Sequence, residues 1–216
     1  AVILASGATY RRLDLDRYED FEGQGIHYAA TALEARFCTG SDVVVVGGGN
    51  SAGQAAVFLS GHARHVHILI RGDSLAASMS DYLIQRIDQS SRITLHRNTQ
   101  LTGLHGDRKL EAVTWENRVR QTTETQAISN VFVMIGAMPN TRWLGDMVET
   151  DQQGFVLTGA ATSTGALSPF ATSVSGVFAV GDVRSGSVKR VASGVGEGSV
   201  CVSDIHRYLS ATGGQD

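Results

Sequence analysis

The sequence predicts an α/β fold: a doubly wound parallel sheet with a β-meander set into it, followed by part of a second α/β layer. Three observations carry this expectation. Residues 43–46 are four consecutive valines, the pattern of a central parallel strand covered on both faces. Apolar strand-like runs alternate with helical patterns from residue 41 to residue 136. Glycine is in excess, 25 residues against two prolines, which in a well-packed chain points to backbone approaching a ligand.

The elements follow in order. Residues 2–5 read as a short buried strand that ends at Ser6-Gly7-Ala8, and residues 9–41 as a connector with one helical turn near Leu33. After the valine strand, Gly47-Gly48-Gly49 breaks the run, and residues 50–60 show helical spacing. Residues 66–70 predict a second strand. Residues 74–89 predict a second helix, with Leu75, Met79, Leu83 and Ile87 on one face. Residues 93–95 predict a third strand, and residues 101–125 a meander turning at His105-Gly106-Asp107. Residues 131–135 form another buried strand, ended by Gly136. Beyond Met138-Pro139-Asn140 the composition shifts to Gly, Ser and Thr. A strand at 177–180 ends at Gly181-Asp182, and a helix over 191–209 carries Gly194, Gly196 and Gly198. Those glycines cost roughly 1 kcal/mol each against alanine, so close approach is expected there. The expected domain limits are 1–8, 9–136 and 137–216.

Composition excludes several classes. With 42 % apolar and 18 % charged residues, the chain can bury a core. A net charge of −3 without a Lys/Arg block disfavours a nucleic-acid partner. No apolar run approaches the ~20 residues of a membrane span, so no membrane partner is expected. Cys38 and Cys201, far apart in sequence, fit a reducing cytoplasm. The histidines at 27, 62, 65, 67, 96, 105 and 206 are scattered, and His65 and His67 read as one solvated strand face. No metal is expected.

Gly47-x-Gly49-x-x-Ala52 lies between the valine strand and an alanine-rich helix, the setting of a Rossmann-like dinucleotide fingerprint. Gly47 makes the turn, Gly49 lets a pyrophosphate touch the backbone, Ala52 lets helix and strand pack closely, and Gly48 is counted with them among the cofactor-binding residues. The N–H groups and positive dipole end at Asn50 and Ser51 face the phosphates. Arg71, at the end of the second strand, can pair with a 2′-phosphate, which favours NADPH. Asp73 can instead hold ribose hydroxyls, so NADH stays open.

These residues resemble the thioredoxin-reductase-like family of FAD/NAD(P)-dependent pyridine nucleotide-disulfide oxidoreductases. Ala5-Ser6-Gly7-Ala8 is similar to the family's crossing from FAD to NADPH domain. Gly136-Ala137-Met138-Pro139-Asn140 is similar to the return, which places Gly136 at the NADPH site. Gly176-Val177-Phe178-Ala179-Val180-Gly181-Asp182 resembles the late FAD motif. The resemblance implies that Gly181 and Asp182 meet FAD, Asp182 through a ribityl hydroxyl. It also implies that Arg190 and Val191 open the last helix under the flavin. Residues 137–216 would then be the C-terminal part of an FAD-type domain.

Three departures follow. Where the family has Cys-x-x-Cys, this sequence has Ala29 and Ala32, so no dithiol is expected and no catalytic side chain is assigned. Two further arginines of the family's phosphate cluster are replaced by Gly72 and Ala76, which weakens NADPH preference. The family's first FAD-binding half has no counterpart here, so the chain is expected to be a fragment that holds FAD weakly and is inactive alone. The parent would move hydride from NADPH to FAD and then reduce a ferredoxin-type protein, a quinone or a fused domain. A homodimer is open. So are two other classes: a nucleotide-binding regulatory module without turnover, and a disulfide reductase whose thiols come from another domain.

Overall fold

The computed structural model describes residues 1–213. Strands β1 (Val2–Leu4), β2 (Ala8–Tyr10) and β3 (Ile26–His27) precede a single helical turn, α1 (Ala32–Ala35). Then come β4 (Asp42–Val46), α2 (Asn50–Leu59), β5 (His65–Leu69), α3 (Asp81–Asp88) and β6 (Ile93–His96). The antiparallel strands β7 (Thr99–His105), β8 (Ala112–Asn117) and β9 (Thr122–Gln126) follow, then β10 (Val131–Val133) and β11 (Ala137–Pro139). β12 (Val177–Ala179) and the long helix α4 (Val191–Thr212) complete the order. None of the described helices is long and apolar enough to cross a membrane.

The chain divides into two compact units. One is Arg11–Gly136, and the other joins Ala1–Tyr10 to the segment from Ala137 onward. β2 belongs with the second of these because it pairs antiparallel with β11, Ala8 opposite Pro139 and Tyr10 opposite Ala137. The junction therefore falls two residues past the limit expected from the sequence.

In the 11–136 unit a five-stranded parallel sheet has the order β3-β10-β4-β5-β6. The valine run fills both faces by strand alternation. Val43 and Val45 pack with Ala52, Ala56, Leu59 and Leu83 of the helices. Val44 and Val46 pack with Leu101, Leu104, Val113 and Trp115 of the meander. All four valines are buried. One face is thus covered by helices and the other by a second sheet.

Two expectations need correction in this unit. The second helix begins at Asp81, not at residue 74, and residues 74–80 are turns. Leu75 and Met79 are nonetheless buried with Leu83 and Ile87. Their four-residue spacing comes from a loop held by side chains: Ala76 N–H donates to Ser74 Oγ (3.1 Å), and Ser80 N–H donates to Asn50 Oδ1 (2.8 Å). The connector also contains β3, a two-residue edge strand too short to show a period.

In the other unit β1 and β12 pair in parallel, Val2 opposite Val177 through Leu4 opposite Ala179. Leu4 and Ala179 pack with Leu144, Val148, Val156 and Val183. The two crossing segments are joined around Asn140, which donates from Nδ2 to the Ser6 carbonyl and accepts at Oδ1 from Thr9 Oγ1, each at 2.9 Å. Its N–H donates to the Gly7 carbonyl at 3.0 Å. At Gly194 an added Cβ would make only ordinary contact, 3.9 Å from Gly181 Cα, so no neighbour among the described residues demands glycine there. Positions 196 and 198 meet nothing within 4 Å among the described residues.

Candidate dinucleotide sites

Gly47 sits at φ +142°, and a Cβ there would lie 2.3 Å from the Met134 carbonyl oxygen. Only glycine fits, because β10 runs directly alongside. Ala52 is fully buried in the helix-side core, and a Cβ at 47 would crowd its own Cβ at 3.3 Å. Gly48 and Gly49 differ. A Cβ at Gly48 would make ordinary contact with Ile70 at 3.5 Å, and one at Gly49 would meet only the Ser78 carbonyl at 3.7 Å. Gly49 has φ −91°, open to any residue. Nothing in the unit itself requires glycine at 49, whereas a phosphate seated on the backbone would. The residues present therefore fit a dinucleotide.

Gly49 is the N-cap of α2 without a side-chain cap, so the first-turn N–H groups at Asn50, Ser51 and Ala52 have no intrahelical carbonyl. The Asn50 side chain turns away to the Ser80 N–H, while Ser78 Oγ donates to the Gly48 carbonyl at 2.9 Å. Both bonds pin the 74–80 loop against the glycine turn. The sequence expectation concerns the Asn50 N–H, and the side chain, held by this loop, leaves that group to a phosphate. Ser78 was missed because a lone serine in a loop carries no pattern.

Arg71 lies just past β5, exposed and without a hydrogen bond or ion pair among the described residues. Gly136, at φ +92°, accepts at its carbonyl from the Arg11 N–H at 3.0 Å. Ala29 and Ala32 flank the Thr31 N-cap of α1. There the Thr31 side chain accepts from Leu33 N–H (3.2 Å), and Glu34 Oε2 accepts from Thr31 N–H (2.9 Å). Neither thiol of the chain is poised to react. Both are buried, and burial then neighbouring carboxylates push them up, Cys38 to about 11.

In the other unit Gly181, at φ +73°, and Asp182 form a single 3₁₀ turn after β12. Gly181 N–H donates to Glu197 Oε2 at 2.6 Å, and Arg184 Nη2 donates to Glu197 Oε1 at 2.6 Å. Burial works to raise the Glu197 carboxyl, but the bonds from Arg184 and Gly181 outweigh it and hold it below the usual carboxylate range. Glu197 thus ties the Gly181-Asp182 turn to α4. It was missed, although it is the single charged residue between Val191 and Ser203. Arg190 is the N-cap of α4, and Val191, its first residue, is exposed. Burial, then Asp182, raises the Tyr10 phenol, and Arg190 opposes this, so Tyr10 lies in the field of both expected FAD residues. Among the described residues, Ser187 Oγ is a buried hydroxyl with no partner.

The expectation of a solvated histidine face is corrected at His67. His67 Nδ1 lies 3.0 Å from His96 Nε2, and both rings pack on Trp115. Burial, then the neighbouring His96 and His65, pushes His67 down to about 4. Among the described residues no group of three or more His, Cys, Asp and Glu side chains could hold a metal.

The parallel sheet, its glycine turn and the helix that starts there define a Rossmann-type α/β domain. The sequence profile of the pyridine nucleotide-disulphide oxidoreductases matches residues 1–198, and the chain belongs to that family. It is 35 % identical over 214 residues to NADPH-dependent thioredoxin reductase 3 of Arabidopsis thaliana, covering 98 % of this chain and 39 % of that protein. It is 33 % identical to a thioredoxin reductase of Streptomyces clavuligerus, covering 98 % and 62 %. The solved thioredoxin reductase of Giardia duodenalis superposes with a TM-score of 0.83 at 27 % identity, covering 97 % of this chain and 66 % of that one. The chain thus spans less than two thirds of the length of these relatives.

Proposed function

We propose that this chain is the pyridine-nucleotide-binding part, with a portion of the flavin-binding part, of an oxidoreductase. The proposed reaction takes hydride from NADPH to FAD and passes electrons to an acceptor other than an internal dithiol. The observation that carries the reading is the contrast within one turn: Gly47 is demanded by the Met134 carbonyl, whereas Gly49 is left open by the chain itself. The backbone at Gly48, Gly49, Asn50, Ser51 and Ala52 would hold the pyrophosphate, with Arg71 toward the ribose end and Gly136 at the return. Gly181, Asp182, Arg190 and Val191 would hold FAD, with Glu197 fixing the Gly181 turn.

When bound, the nicotinamide supplies a hydride and the flavin takes it up. The residues of this chain bind and orient, and none has to carry a proton for that step. With alanine at 29 and 32, a ferredoxin-type protein, a quinone or a fused domain would accept the electrons. The likeness to proteins named thioredoxin reductase favours one second reading, a disulfide reductase whose thiols lie in another domain. NADPH oxidation by the full-length protein separates the two. Turnover with ferredoxin or quinone alone supports the first; turnover only after a dithiol domain is added supports the second; no binding of either dinucleotide overturns both.

A further inference from the structure

We propose that Arg97 is a specificity-determining residue for the dinucleotide: with Arg71 it forms a two-cation clamp for the 2′-phosphate of NADP(H). The inference rests on the dinucleotide reading above and deepens it.

In a Rossmann-type domain the ribose that distinguishes the two nicotinamide cofactors lies at the end of the second strand, where an arginine accommodates a 2′-phosphate. Here that strand is β5, and the loop leaving it begins with Arg71. Ala76, farther along this loop, brings no charge. Beside Ala76 lies a cavity of ≈ 80 Å³, also lined by Ser74, Asp88 and Arg97. That is well above the roughly 10–15 Å³ one water requires.

The backbone that carries Arg97 is fixed against the same loop. Asn98 N–H donates to the Gly72 carbonyl and Thr99 N–H to the Ile70 carbonyl, both at 2.8 Å. The Arg97 carbonyl accepts from Thr99 Oγ1 at 2.8 Å and from Asn117 Nδ2 at 2.9 Å. The guanidinium is uncommitted: the residue is exposed, and its side chain has no hydrogen bond or ion pair among the described residues. Asp88 lines the cavity without pairing to it. A fixed backbone carrying a free planar donor suits charge-assisted binding of a phosphate. Asp73, also exposed on this loop, is the competing group, since a carboxylate there favours ribose hydroxyls.

Calorimetry on the purified protein tests this with four probes: NADP⁺, NAD⁺, 2′,5′-ADP and 5′-AMP. The variants are Arg97→Ala and Arg97→Met, the second keeping an aliphatic stem. The expected result is NADP⁺ and 2′,5′-ADP binding weakened about tenfold or more in both variants, with NAD⁺ and 5′-AMP within twofold of the parent. An equal loss for all four probes, or no loss for NADP⁺, overturns the clamp. Parent protein that binds NAD⁺ but not NADP⁺ overturns the clamp and leaves the dinucleotide reading standing. Parent protein that binds none of the four overturns that reading itself. Thermal unfolding of each variant accompanies the titrations, and an exposed arginine with a free head should leave it unchanged.

Discussion

Single residues of one glycine turn separate architecture from binding. A Cβ added at Gly47 would drive into the Met134 carbonyl in a backbone region that side chains rarely adopt. Gly47→Ala should therefore cost about 3 kcal/mol of stability, read as a lower denaturant midpoint. Gly49→Ala should leave stability within about 1 kcal/mol, because the position is an N-cap with ordinary φ and open space. The same change should weaken dinucleotide binding by about tenfold or more, since a methyl group would then stand where a phosphate must sit. Calorimetry and urea unfolding on the two variants give opposite patterns if this is right. A variant Gly49→Ala that binds normally would remove the support for a phosphate on this turn.

At the scale of elements, the 181-182 turn and α4 are held together by Glu197. Glu197→Ala strands the Arg184 guanidinium and the Gly181 N–H in a half-buried place, so stability should fall by about 2 kcal/mol in urea unfolding. β5 and β6 carry a second device, the hydrogen-bonded His67 and His96. Their folded pKa values lie below the ordinary imidazole value, so the unfolded chain binds more protons between about pH 6.5 and pH 4. The contribution is fully present above pH 6.5 and is lost as pH falls toward 4. The melting temperature should drop across that window, and His67→Phe should flatten the drop; an unchanged slope would reject the assignment.

Elements were legible where burial repeats with a period. The valine strand, α2, the meander and the strand before Gly181 are all readable for that reason. The start of α3 was not, because Leu75 and Met79 copy helical spacing while Ser74 and Asn50 hold a loop. β2 and β3 were not legible either, being short strands whose partners lie far away in sequence. Of the site, the glycines show because they fall at a fixed spacing between a strand run and a helical run. Ser78 and Glu197 act through contacts with distant segments, and no spacing announces those.

For the whole molecule, the two units should respond separately to ligand. NADP⁺ at about a hundred times its Kd should stabilise the unit that carries the glycine turn by about 2.7 kcal/mol. Calorimetric unfolding should then show one transition rising by several degrees and the other unmoved. Residues 11–136 expressed alone should fold and keep the dinucleotide affinity of the whole chain, read by circular dichroism and calorimetry. A shift of both transitions together would contradict separate responses.

The ends of that unit are closed on each other, with the Arg11 N–H bonded to the Gly136 carbonyl and Tyr10 lying opposite Ala137. Topologically it is an insert that leaves and rejoins its host at one doorway. A gene encoding such an insert can lose, trade or duplicate it by splicing at a single hairpin-like seam. The host's own strand register would pass through that exchange intact.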